Sequence, residues 1–151
     1  FFIMSPTLTK IYNEAATPYM NNEVSAEQAV DKASKSIKNF MVKNTRKTDL
    51  LMFSDLAGID KKFETNAEIP FRVVLPAFMT SELKTAFQIG FLIFLPFLVI
   101  DMVISSILMS LGMMMLSPML ISLPFKLLLF VLVDGWAMTV GSLVSTFSVG
   151  G

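Results

Sequence analysis

The chain has 151 residues, of which 54% are hydrophobic and only 16% charged, with a mean hydropathy of +0.65 and no net charge. A soluble domain carries about 25% charged residues, so the composition points to a membrane protein, and the balanced charge offers nothing to attract nucleic acid. Cys and His are both absent, which excludes disulfides, thiol chemistry, most zinc sites and the usual general base.

Charge is also unevenly distributed along the chain. Asp101, Lys126 and Asp134 are the only charged residues after Lys84. The expected organisation is all-α: a polar, amphipathic helical region over 5–84, then a hydrophobic helical hairpin over 85–147 with a Met-rich turn at 112–118. Residues 1–4, Phe1-Phe2-Ile3-Met4, read as the end of a hydrophobic segment cut short.

Ser5-Pro6 predicts a helix start, with Ser as N-cap and Pro at the first helical position. Leu8, Ile11, Tyr12 and Ala15 then share one face, and Pro18 is expected to stop the run. Asn21-Asn22 reads as a loop. Ser25-Ala26-Glu27-Gln28 fits a capping box. Apolar positions follow at helical spacing, first Val30, Ala33, Ile37, Phe40 and Met41, then Leu51, Met52 and Leu56. Lys32, Lys35, Lys38 and Lys43 occupy the opposite, solvated side. Asn44-Thr45 is a weak point where the helix bends or breaks, and Gly58 is a good C-terminal stop. Ile59 to Ile69 is polar and turn-like. Pro70 and Pro76 bracket an apolar patch that reads as extended or as one short helix, and the helical pattern resumes from about Ser81.

From Thr85 to Ile100 no residue is charged, and Met102 to Phe125 is again uncharged. A helix needs about 20 mostly apolar residues to cross the hydrocarbon of a bilayer, and this region holds two such lengths joined near Ser117-Pro118. Pro96 predicts a kink in the first arm. In the second arm Ala137, Gly141 and Ser145 recur every four residues, a spacing that lets another helix approach closely.

A charge at the centre of a spanning helix costs roughly 2.5–3.5 kcal/mol on insertion scales. Two readings of Asp101, Lys126 and Asp134 follow: they pair with other helices and fix assembly, or they form an ion or proton path. The rule that intramembrane charges are partnered favours the first. With the turn centred near Ser117, Asp101 and Asp134 lie at similar depth and Lys126 about 11 Å nearer the turn. A straight hairpin then pairs Lys126 with neither, and partners on other subunits are expected. Glu82 and Lys84 read as interface residues at the membrane edge.

Several long stretches carry a family resemblance. The segment Leu75-Pro76-Ala77-Phe78-Met79-Thr80-Ser81-Glu82-Leu83-Lys84-Thr85-Ala86-Phe87-Gln88-Ile89-Gly90-Phe91 closely resembles the FliP family of the bacterial flagellar type III export gate. So do Leu95-Pro96-Phe97-Leu98-Val99-Ile100-Asp101, Gly112-Met113-Met114-Met115, Leu123-Pro124-Phe125-Lys126 and Val131-Leu132-Val133-Asp134-Gly135-Trp136. The injectisome SctR family is the close relative; Lys84-Thr85-Ala86-Phe87-Gln88 and Val133-Asp134-Gly135-Trp136 look more flagellar.

The resemblance implies a structural pore subunit of the bacterial inner membrane and flagellar basal body, with no catalytic chemistry, cofactor or metal. FliP-like proteins form a pentameric ring with FliQ- and FliR-like membrane proteins and pass unfolded polypeptides. The polar region would face the periplasm, and Met113, Met114 and Met115 would line the pore as a gasket. FliP-like proteins also carry a signal sequence and two earlier hydrophobic segments, the second ending at the match to Phe1–Met4. The alternatives are the injectisome version of the gate and an ion- or proton-conducting membrane subunit.

Overall fold

The computed structural model describes residues 1–59, 65–112 and 116–147, and among these every regular element is helical. Two compact units emerge, Phe1–Lys84 with residues 146–147, and Thr85–Ser145.

In the first unit, α1 (Ser5–Ile11), a π-helical turn (Tyr12–Ala16) and α2 (Thr17–Met20) follow one another without a break. Ser5 lies inside α1 and not at its cap, which is Met4. Pro18 does not stop the run either. The Thr17 N–H reaches back five residues to the Tyr12 carbonyl. That wider turn immediately before Pro18 makes room where its ring would crowd the preceding turn. The helix ends instead at Met20, and two residues on the chain turns at Asn22, whose φ of 57° is one that Asn tolerates better than most residues.

α3 (Ala26–Lys43) opens with the expected capping box: the Gln28 N–H donates to Ser25 Oγ at 3.3 Å and the Ser25 N–H to Gln28 Oε1 at 3.1 Å. It ends at Asn44, whose side-chain amide donates to the Phe40 carbonyl. α4 (Lys47–Leu56) follows and is closed by Gly58 at φ +66°. The inward face of α4 differs from the sequence reading: Leu51, Met52 and Leu56 are exposed, while Asp49 and Ser54 are buried and Leu50 and Phe53 pack on the core. Met41, Val42, Ile69, Val73 and Val74 form that core.

α5 (Phe71–Ser110) is a single 40-residue helix. The patch after Pro70 is its first turns and not a separate element, and the helix passes through Pro76 and Pro96 without interruption. Complete burial of Val73, Val74 and Ala77 around Pro76 offsets the lost hydrogen bond. α5 is long and apolar enough to cross a membrane.

In the second unit, the part of α5 from Thr85 packs with α6 (Pro118–Leu132) and α7 (Gly135–Ser145). The second arm is not one straight helix. α6 and α7 meet at 62°, and between them Asp134 has a φ of 52°. The next residue must be Gly: a Cβ at Gly135 would lie 2.4 Å from the Phe130 ring. That ring meets Trp136 edge-on with centroids 5.2 Å apart. Gly135→Ala therefore overpacks the bend, a class of change costing about 1–3 kcal/mol. The thermal midpoint in detergent should fall, and the emission of Trp136, the sole tryptophan, should shift as its contact with Phe130 is lost.

Candidate functional site

Asp49 with Lys84, and Asp101 with Lys126, form two clamps of the same design. In the first unit Asp49, at the third position of α4, is 1% exposed. Ser81 and Lys84, three residues apart on α5, project from one side of that helix. The Ser81 hydroxyl donates to Asp49 Oδ2 at 2.7 Å, and Lys84 Nζ donates to Oδ1. Ser81 Oγ in turn accepts the Arg46 N–H at 2.9 Å. Arg46 is the N-cap of α4 and its side chain makes no capping hydrogen bond to that helix; α5 supplies a partner for its N–H at that helix start. The Lys84 and Ser81 hydrogen bonds hold the Asp49 carboxyl below the usual carboxylate value, against an opposing push from burial.

In the second unit Ser122 and Lys126 lie four residues apart on α6. Ser122 is fully buried and donates to Asp101 Oδ1 at 2.7 Å, and Lys126 Nζ lies 2.7 Å from the same oxygen. The side chains of Asp101 and Lys126 are 28% and 22% exposed. This corrects the expectation that Lys126 meets neither Asp of its own chain. α5 ends at Ser110 and α6 begins at Pro118, so the turn is centred several residues before Ser117. Asp101 then lies about 13 Å from its end of the turn and Lys126 about 12 Å from the other, at matching depth.

Asp134 stands apart. It lies exposed at the α6–α7 bend and makes no ion pair among the described residues. Glu82 is half-buried on α5 and likewise has no ion pair among the described residues. Ala137, Gly141 and Ser145 form an exposed stripe along α7, with open space over Gly141. Met113, Met114 and Met115 lie outside the described residues; before them Gly112 has a φ of +72°, and after them Ser117 caps α6 with Pro118 in its first turn.

Sequence reasoning missed Asp49, Ser81 and Ser122. The available signal was a Ser one helical turn before each of Lys84 and Lys126, a spacing that aims two donors at one acceptor. No group of three or more metal-ligating side chains occurs among the described residues.

The model of the FliP family matches residues 1–143. The chain is 63% identical over 147 residues to the flagellar biosynthetic protein FliP of Cereibacter sphaeroides, covering 97% of this chain and 48% of that protein. It is 58% identical to the protein of that name from Bacillus subtilis, covering 97% and 66%, and 53% identical to that of Pectobacterium carotovorum, covering 97% and 57%. The chain thus spans about half to two thirds of the length of these curated relatives.

Two measurements check the clamps. Because the folded pKa of Asp49 is depressed, its stabilisation is full above the unfolded value of about 3.9 and is lost as pH falls through the lower folded value. The protection of α4 amides, taken relative to their intrinsic exchange rate at each pH, should therefore fall below about pH 4, with a shallower pH slope in Asp49→Asn. For the second clamp, Lys126→Met leaves Asp101 without its cation, whereas Asp101→Asn with Lys126→Met removes both charges. A double-mutant cycle on detergent stability should give a coupling of about 1–3 kcal/mol, the double variant being more stable than the sum of the singles predicts.

Proposed function

The chain belongs to the FliP family, and from that premise we propose that it is a structural pore subunit of the flagellar type III protein export gate, passing unfolded flagellar proteins across the bacterial inner membrane. The observation that carries this reading is identity of 53–63%, across 97% of the chain, to proteins named for flagellar biosynthesis. Those names favour the flagellar gate over its injectisome counterpart. The apolar α5, with Phe87, Phe91, Leu92 and Phe94 more than half exposed in the single chain, supplies surface for lipid and for neighbouring subunits.

In this reading the polar region, 5–84, faces the periplasm, and the apolar region, 85–147, forms a ring, pentameric by resemblance, with FliQ- and FliR-like partners. The two clamps are structural: Asp101 and Lys126 neutralise each other inside one chain, which favours a role in positioning α6 over a proton relay. No step of catalysis is assigned to any residue, and energy for export comes from other components.

The ring brings copies of Met113, Met114 and Met115 to its axis. Met side chains are flexible and polarizable, so they can close on one another or on a passing chain of any sequence. Replacing all three by Ala should leave assembly intact and make cells leak small solutes, measured as dye entry or ion conductance. A membrane as tight as wild type with the ring still formed would show that the loop is not the seal.

A further inference from the structure

The first unit carries a polar hollow of about 260 Å³ to which several elements contribute. α1 supplies Lys10 and the π-helical turn Glu14. α3 supplies Lys32, Lys35, Ser36 and Asn39, which recur along one face of that helix. A 3-10 turn, Asn66–Glu68, closes one side. There the Asn66 side-chain amide donates to Asn39 Oδ1 at 3.4 Å, which leaves Asn39 its own N–H donors.

Three charges at the hollow are uncommitted. Lys35 pairs with Asp31, one turn back on α3, at 2.6 Å. Lys10, Lys32 and Glu14 are exposed and make no ion pair among the described residues. Two ammonium groups beside a hydroxyl and an amide are a donor set for an anion. A simple anion would also meet the Glu14 carboxylate, and like charges repel. A ligand that carries a cation beside its anion turns that repulsion into attraction. Phosphate suits the donors better than carboxylate does. It presents strong acceptor oxygens on several sides, whereas a carboxylate has two in one plane.

We propose that this hollow binds a phosphoethanolamine group, its phosphate held by Lys10 and Lys32 with Ser36 and Asn39, and its ammonium by Glu14. The group arrives either as a lipid headgroup or on a soluble molecule, and the chemistry of recognition is the same. Size agrees with this occupant: at about 260 Å³ the hollow falls just below the range of about 300–1,000 Å³ for drug-sized ligands. The hollow lies wholly within the first unit, so the proposal does not depend on the chain's being a pore subunit.

The test uses the full-length protein in lipid-free detergent, with phosphoethanolamine as the soluble probe and calorimetric titration as the readout. Glycerol phosphate, which has the phosphate and no ammonium, is the comparison. Phosphoethanolamine should bind about fivefold more tightly, the ratio expected of one exposed charge pair. Glu14→Gln should erase that preference and leave glycerol phosphate binding no weaker. Lys10→Gln combined with Lys32→Gln should weaken both ligands about tenfold or more. All three side chains are exposed, so these substitutions leave the packing of the unit intact. Titration in nanodiscs separates the sources. Where the group is a lipid headgroup, phosphatidylethanolamine bilayers should compete with the probe and phosphatidylglycerol bilayers should not; equal binding in both identifies a soluble ligand. No binding to the wild type, equal affinity for the two ligands, or undiminished binding in the double lysine variant would overturn the proposal.

Discussion

A carboxylate held between a serine hydroxyl and a lysine ammonium, one helical turn apart on the facing helix, is the interaction on which both units depend. Asp49 sits between Ser81 and Lys84, and Asp101 between Ser122 and Lys126. Hydrophobic burial pulls helices together without fixing their register, because it is non-directional. Between helices in lipid even that pull is absent. A clamp of this kind supplies what is missing: it is satisfied only when one residue of one helix lies opposite one turn of the other. Removal of either donor leaves a partly desolvated charge, so slippage by a residue is costly. α5 supplies the two donors to one clamp and the acceptor to the other.

The serine in each clamp does more than add a hydrogen bond. A lysine on a long flexible stem can follow a moving carboxylate, whereas a serine hydroxyl reaches only from a closely packed helix. Ser81 and Ser122 are accordingly at most 1% exposed, while Lys84 keeps nearly half its side chain in contact with the surroundings. The short residue sets the distance between the helices, and the long one neutralises the charge. Ser81 also accepts the Arg46 N–H, so a single hydroxyl fixes both the side chain of Asp49 and the start of its helix.

Much of the helical outline was legible in the sequence, because the signals involved are local. The capping box at Ser25, the break at Asn44-Thr45, the stop at Gly58 and the apolar length of α5 each follow from residues within a turn or two of one another. What failed was non-local. Pro18 was read as a stop and Pro76 as one bracket of a separate apolar patch, but a π-turn accommodates the first and complete burial of Val73, Val74 and Ala77 offsets the second. The inward face of α4 was misread because apolar residues were taken to mark it, when Asp49 and Ser54 lie inside and Leu51 and Leu56 outside. The pairing of Lys126 turned on where the loop is centred. A shift of a few residues there moves each partner by several ångströms along its helix, enough to separate or join a salt bridge.

The second arm shows how one local sequence converts an apolar run into two elements. Val131-Leu132-Val133 and Ala137-Met138 would continue a straight helix, and nothing in their hydrophobicity forbids it. Asp134 adopts a left-handed backbone that a β-branched neighbour such as Val133 resists. Gly135 then admits the Phe130 ring against its backbone, where any Cβ would collide. The positive φ redirects the chain, and the Phe130–Trp136 contact fastens the new direction. The two residues are thus complementary: Asp134 without Gly135 would turn the chain into the ring, and Gly135 without the turn would leave the ring nothing to pack on. The consequence reaches the membrane. α6 alone, at about 22 Å, is too short to span, so the second arm crosses only as a bent pair or returns to the face it entered. A carboxylate stands at the bend in either case.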